Sequence, residues 1–124
     1  MDEQLERADV LEWIWRVGQE AEICASVCTG AFLLAKAGVL DGLSATTHWE
    51  DLDAFRRLFP DLELHGDARW VDNGKIITAA GISAGIDMSL HLVARLGGTA
   101  LARKTAMQMD YAWNENHSAA HPDV

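Results

Sequence analysis

The chain has 124 residues, 49% of them hydrophobic and 23% charged, which fits one compact domain and excludes a disordered or fibrous protein. Ten basic and nineteen acidic side chains give a net charge of −9. Nucleic-acid binding requires clustered Lys and Arg, and no such cluster occurs, so nucleic acid is not an expected partner. No apolar stretch approaches the roughly 20 residues that span a bilayer, so no membrane is expected either.

The first six residues and the two cysteines bear on the cellular compartment. Residues 1–6 are acidic and polar, the opposite of the basic start of a secretory signal. Without an export signal, Cys24 and Cys28 are expected to be free thiols in a reducing cytoplasm. Four residues apart in one strand, they would lie about 13 Å from each other, which is too far for a disulfide.

Apolar spacing predicts four elements in the first half of the chain. Residues 3–18 have the pattern of an amphipathic helix. Residues 23–27 are apolar without polar alternation, which predicts a strand buried on both faces of a parallel sheet. Residues 29–37, rich in Ala and Leu, predict a helix that Gly38 ends. β-Branched residues at 45–48 predict a second short strand.

The middle of the chain predicts a helix and then a hairpin. Leu52, Phe55 and Leu58 recur at helical spacing over residues 49–58, and a proline follows two residues later. Residues 69–78 have the pattern of a β-hairpin, with Asn-Gly at a tight turn of positive φ.

The last third predicts two helices and a polar tail. A small-residue loop over 79–85 precedes a helix over 86–96, and a further helix follows over 100–112. Residues 114–124 form the tail. Alternating helices and strands are typical of a layered α/β domain. Only about two strands are available for a parallel sheet, so the domain is expected to lack part of its N-terminal portion.

The segment Ser26–Ala31 is the most specific chemical motif. A predicted strand meets a predicted helix at Cys28, with small residues two positions to either side, as a nucleophile elbow requires. Free amides and the dipole at the helix N-terminus would stabilise a thiolate. The amides of Thr29 and Gly30 could form an oxyanion hole. The alternative is an inert buried cysteine, and the spacing leaves both interpretations open.

His48 and Asp87 are the next candidates for the site. His48 follows a β-branched run, where its imidazole could relay protons or pair with a thiolate. Its alternative role is a backbone hydrogen bond at a strand end. Asp87 lies near a helix start, where the dipole favours an acid whatever its function. A loop facing the elbow would bring Asp87 towards the site as a supporting residue.

Neither a metal nor a nucleotide cofactor is expected. The other histidines lack metal-ligand spacing, apart from a pair in the tail; they are His65, His91, His117 and His121. The glycines of the loop over 79–85 do not form a dinucleotide-binding motif.

Several strings together resemble the DJ-1/PfpI superfamily, whose fold is of the class I glutamine amidotransferase-like type. The resemblance covers roughly residues 20–113, and the segments that carry it are 26–42, 45–49, 69–75, 78–88 and 109–111. It implies a single domain over 1–124 with a three-layer α/β/α sandwich of flavodoxin-like type, here N-terminally truncated.

Within the superfamily the chain most resembles isonitrile hydratase-like proteins, and it is also similar to sensor domains that precede AraC-type DNA-binding domains. The resemblance implies Cys28 as nucleophile, Thr29 as the neighbouring hydroxyl and His48 as the histidine near the thiol. It also implies a homodimer, and an acidic residue from a first strand that this sequence lacks.

Three functions follow as hypotheses. In the first, a Cys28 thiolate adds to an electrophilic carbon of a small substrate, and the resemblance favours hydration of an isonitrile to an N-substituted formamide. In the second, the chain is a non-catalytic small-ligand or redox sensor whose cysteine is oxidised. In the third, it is a remnant without a function of its own.

We predict that Cys28 is alkylated faster than Cys24 at neutral pH, because only Cys28 lies at a strand-to-helix junction. Peptide mass spectrometry after timed iodoacetamide labelling measures both rates in one sample. Equal labelling of the two cysteines would contradict the elbow hypothesis.

Overall fold

A computed structural model describes residues 6–113, in which helices lie on both sides of a small sheet. The helices are α1 (Ala8–Glu20), α2 (Gly30–Lys36), α3 (Leu52–Leu58), α4 (Ile82–Gly97) and α5 (Thr99–Gln108), with a 3₁₀ turn at Trp49–Asp51. The strands are β1 (Cys24–Val27), β2 (Ser44–Ala45), β3 (Glu63–Leu64), β4 (Trp70–Asp72) and β5 (Ile76–Ala79).

The main sheet of the described residues has the strand order β1-β5-β4. β1 runs parallel to β5, with Ser26 opposite Thr78, and β4 runs antiparallel to β5, with Val71 opposite Thr78. β2 and β3 form a separate parallel pair. The central position of β5 explains why all four of its residues are buried.

Two apolar cores lie on opposite faces of this sheet, because successive strand residues point to opposite sides. Ile76 packs with α2 and α3, where the Phe32 and Phe55 rings meet edge to face at 5.1 Å. Ile77 packs on the other face with Met88 of α4. Helices on both faces of a sheet form the three-layer α/β/α arrangement that the resemblance implied.

The prediction that β1 is buried on both faces is wrong. Ser26 is buried, but Ala25 is exposed and Val27 keeps 42% of its surface accessible. β1 is an edge strand of the described sheet, and α4 covers its Val27 face only in part. The apolar run therefore predicted the strand correctly, but it did not predict that one face of the strand is exposed.

The second strand is shorter than predicted, since only Ser44–Ala45 pairs. Thr46 leaves the ladder because its amide donates to the Thr78 side-chain Oγ1 at 2.9 Å. At the hairpin turn, Gly74 has the positive φ, 95°, and Asn73 does not. Glycine thus takes the first central position of a two-residue turn, as in type II′ turns.

Helix boundaries also differ from the predictions. α1 begins at Ala8, and α5 ends at Gln108. Residues predicted as a loop over 79–85 include the first turn of α4, which begins at Ile82. The predicted polar tail lies outside the described residues. Within residues 6–113, no helix has the length and apolarity needed to cross a membrane.

A buried carboxylate joins the hairpin to α4. Asp72, at the end of β4, accepts a hydrogen bond from the Gly74 amide at 2.6 Å. His91 Nε2 lies 2.6 Å from its other oxygen, and Arg95 Nη1 lies 3.2 Å away. Both partners are on α4, so the turn and the helix are held by one side chain.

We predict that Gly85→Ala lowers the free energy of unfolding by about 1–3 kcal/mol, because overpacking strains a filled space. A Cβ at Gly85 would lie 2.9 Å from Val27 Cγ1, whereas one at Gly18 would meet Val39 at an ordinary 3.5 Å. Gly18→Ala is therefore the matched control, and it should stabilise by up to about 1 kcal/mol. Urea unfolding measures both changes.

Adding Val27→Ala to the Gly85→Ala variant removes the clashing methyl groups and should restore part of the lost stability. A Gly85→Ala protein at least as stable as the unchanged chain would show that α4 and β1 are not in close contact.

Candidate active site

Cys28 occupies a strained turn between β1 and α2. Its φ is 58°, a left-handed conformation that costs a non-glycine residue about 1–3 kcal/mol and often marks a functional position. Its amide donates to the Ala79 carbonyl at 3.0 Å, and its carbonyl accepts from Thr47 Oγ1 at 2.8 Å. These hydrogen bonds fix the backbone on both sides of the thiol.

Small residues permit this turn. A Cβ at Gly30 would lie 3.3 Å from Ser26 Cβ, so a larger residue at either position would push α2 away from β1. The amides of Thr29 and Gly30 stand at the start of α2, where no preceding helical turn offers them a carbonyl. The Thr29 side chain makes no capping hydrogen bond. The strand-to-helix geometry of the elbow is therefore present.

A cavity of about 590 Å³ opens beside Cys28. It brings together Cys28 and His48, two of the predicted site residues. Thr29, Gly30 and Asp87 do not line it. The residues that do are Cys28, His48, Trp49, Ala68, Arg69, Ala80, Gly81, Ile82, Ser83 and Ala84.

His48 makes the backbone contact that was its alternative role, and it also lines the cavity. Its Nδ1 accepts from the Glu50 amide at 3.2 Å and lies 3.8 Å from an Asp51 carboxylate oxygen. A neutral ring with Nδ1 as acceptor carries its proton on Nε2. The backbone bond therefore sets the tautomer and leaves Nε2–H as the ring's donor.

Asp87 is fully buried in α4 and acts through an arginine. Its carboxylate accepts from Arg69 Nη2 at 2.6 Å and from Arg69 Nε at 3.1 Å. Arg69 is partly exposed and also donates to Ser83 Oγ at 3.3 Å. Asp87, predicted as a supporting residue, therefore contacts Arg69, which lines the cavity. Sequence reasoning missed Arg69, because no local pattern links it to an acid eighteen residues later.

Tyr111 approaches the same cluster from the end of α5. Its hydroxyl donates to the Ser83 carbonyl at 3.1 Å. Burial raises the pKa of Tyr111, the Asp87 carboxylate raises it further, and Arg69 opposes both. Tyr111 therefore stays a protonated donor that braces the start of α4.

Cys24 differs from Cys28 in its surroundings. Burial raises the pKa of the Cys24 thiol, and the Lys75 charge only partly opposes this. Its sulfur faces α1, 4.0 Å from the place of a Cβ on Gly18. Both cysteines are free thiols, as predicted.

The described histidines outside the cavity lie near carboxylates, although His65 Nε2 makes no hydrogen bond. His91 contacts Asp72, and His65 Nε2 lies 3.5 Å from a Glu63 oxygen. Within residues 6–113, no three side chains of His, Cys, Asp or Glu are grouped to hold a metal ion. His117 and His121 lie outside the described residues.

Comparison with curated proteins identifies relatives of two kinds. Isonitrile hydratase from Pseudomonas putida is 36% identical over 121 residues, covering 97% of this chain and 51% of that protein. The HTH-type transcriptional regulator CdhR from Pseudomonas aeruginosa is 36% identical over 99 residues, covering 80% of this chain and 29% of the regulator. The chain thus spans about half the length of the hydratase and less of the regulator.

Solved structures agree on the fold. A THiJ/PfpI family protein from Pseudomonas syringae matches with a TM-score of 0.78 and 31% identity, over 91% of this chain and 46% of that one. Drosophila melanogaster DJ-1beta matches with a TM-score of 0.73 at 20% identity, over 90% of this chain and 59% of its own; this likeness concerns the fold alone. A model of the DJ-1/PfpI family matches residues 2–95. The chain therefore belongs to the DJ-1/PfpI family.

Proposed function

We propose that the chain is a cysteine-dependent enzyme of the isonitrile hydratase type, acting on a small electrophile in the cytoplasm. The observation that carries this proposal is the turn of positive φ that holds Cys28 beside the cavity, together with His48. A structural cysteine needs neither a strained backbone nor an adjoining cavity. The identity to isonitrile hydratase supports the choice of substrate class.

The proposed reaction adds the Cys28 sulfur to the terminal carbon of an isonitrile. That carbon takes up a proton, and the product of this step is a thioimidate bound to the enzyme. Water then adds to the same carbon, and the C–S bond breaks to release the thiolate and an N-substituted formamide. The net change is one water per isonitrile, with no oxidant or reductant.

The neighbouring groups have separate roles in this scheme. The amides of Thr29 and Gly30, at the start of α2, stabilise negative charge that develops near the sulfur. The adduct carbon takes up the proton that the Cys28 thiol loses, and the hydroxyl proton of the hydrated adduct returns to the sulfur when the C–S bond breaks. His48 Nε2–H donates a hydrogen bond that stabilises the charge developing in these steps. The hydroxyl of Thr29 is included as a further donor on the family resemblance alone, since Thr29 does not line the cavity. Asp87 contributes by orienting Arg69.

We predict slow turnover of cyclohexyl isocyanide that depends entirely on Cys28. The rate should be low because, among residues 6–113, no carboxylate lines the cavity beside the Cys28 thiol. Cys28→Ala should abolish formamide production, and His48→Ala should reduce it by about 10²-fold or more, the usual effect of removing one hydrogen-bond donor to a developing charge. Gas chromatography measures isonitrile loss and formamide gain.

Cys24→Ala is the matched control, since it removes the other thiol and leaves the cavity intact. Formamide production that survives Cys28→Ala would contradict the proposal. A complete lack of turnover in the unchanged chain would favour the second candidate.

That second candidate is a sensor domain that binds a small ligand or is oxidised at Cys28. It is favoured by the similarity to CdhR and to a second HTH-type regulator from Rhizobium meliloti, GlxA, which is 40% identical over 80 residues. Trp49 lines the cavity and is 73% exposed, so ligand binding should change its fluorescence. Saturable quenching without product formation would identify a sensor.

We also propose that the chain forms a homodimer, as the family resemblance implies. Trp13 and Trp15 on α1 are 55% and 49% exposed, and exposed large apolar side chains are typical of association surfaces. We predict a dimer in sedimentation equilibrium at micromolar concentration, weakened by Trp13→Lys. A monodisperse monomer of the unchanged chain would contradict this prediction.

A further inference from the structure

Arg69 faces the same cavity as Cys28 from the opposite side of β5. The Cys28 amide bonds to the Ala79 carbonyl, and the Ala80 amide bonds to the Arg69 carbonyl at 2.7 Å. Cys28 and Arg69 therefore flank the end of the central strand. Two strand spacings separate their backbones by roughly 10 Å, and both side chains reach into the cavity between them.

The guanidinium of Arg69 is oriented and only partly used. Nε and Nη2 both donate to Asp87, which is fully buried, and Nη2 also donates to Ser83. Among the described residues, no hydrogen bond of Nη1 is seen. The side chain is 29% exposed. A buried carboxylate thus holds the planar group so that one nitrogen still has N–H donors to offer.

The other groups around the cavity favour an acceptor as the ligand's polar end. Among residues 6–113 no carboxylate lines the cavity, and the polar side chains that line it beside Cys28 are His48, Arg69 and Ser83. Asp87 balances the formal charge of Arg69, so the attraction comes from directional, charge-assisted hydrogen bonds more than from net charge. A carboxylate accepts such bonds best.

We propose that Arg69 is a specificity-determining residue that binds a carboxylate on the substrate through Nη1. The substrate class is then a small electrophile whose reactive carbon lies a few bonds from a carboxylate, so that both ends fit between Cys28 and Arg69. This inference rests on the proposed function only in placing the reacting thiol, Cys28, in this cavity.

The test compares alkylation of Cys28 by iodoacetate and by iodoacetamide, which differ in a carboxylate and its amide. Because both reagents need the thiolate, the ratio of their rates cancels the thiolate fraction. We expect Arg69 to raise the iodoacetate-to-iodoacetamide ratio at Cys28 above that at Cys24 in the same molecule by about fivefold to tenfold. The chain's net charge of −9 repels iodoacetate and leaves neutral iodoacetamide unaffected, so it lowers the ratio at both cysteines.

Arg69→Lys should reduce the Cys28 ratio to that of Cys24, because lysine can still pair with Asp87 but lacks Nη1. The double variant Arg69→Met with Asp87→Asn removes both charges, so that no buried carboxylate is left unpaired, and it should have the same effect. Lys75→Met is the matched control, since Lys75 binds the Gln19 carbonyl and does not line the cavity. It should leave the Cys28 ratio unchanged and lower the Cys24 ratio, because the Lys75 charge acts on the Cys24 thiol.

A measurement on the unchanged chain tests the proposal without variants. Millimolar acetate should slow the reaction of Cys28 with iodoacetamide, and acetamide at the same concentration should not. Equal ratios at the two cysteines, or no difference between acetate and acetamide, would overturn the proposal. Slow reaction of Cys28 with both reagents would instead contradict the proposed function, so the two failures are distinguishable.

Discussion

The left-handed backbone of Cys28 is the constraint on which the candidate site depends. It requires a contact between β1 and α2 that only small residues at Ser26 and Gly30 allow. It also requires the Cys28 amide and carbonyl to be held by Ala79 and Thr47, which come from two other parts of the chain. The thiol therefore takes its position from the pairing of β1 with β5 as much as from its own motif.

The ion pair between Arg69 and Asp87 shows a different use of burial. Replacing a buried ion pair by apolar residues is often neutral or stabilising, so such a pair is weak evidence for stability. Its clear effect here is geometric, because a fully buried acceptor allows the guanidinium few orientations.

Local patterns predicted much of the fold and the strand-to-helix turn at Cys28. The elbow at Cys28, the glycine at the hairpin turn and the helix over 29–37 each depend on neighbours in sequence, and all are present. The exposed face of β1 could not be predicted, because apolar composition does not show whether a strand lies at the edge or in the middle of a sheet. The contact between Arg69 and Asp87 is likewise invisible in sequence, because it follows from how β4 packs on α4.

The carboxylate of Asp72 has a consequence for the cost of loop closure during folding. It joins the hairpin turn to His91 and Arg95. The hairpin and α4, within residues 70–97, are therefore connected by contacts between residues that are near in sequence. Such a unit closes short loops and loses little chain entropy. Pairing Cys24 with Ile76, by contrast, closes a loop of about fifty residues. Docking of β1 therefore carries the larger cost of loop closure, and the turn at Cys28 depends on that docking through the bond between the Cys28 amide and the Ala79 carbonyl.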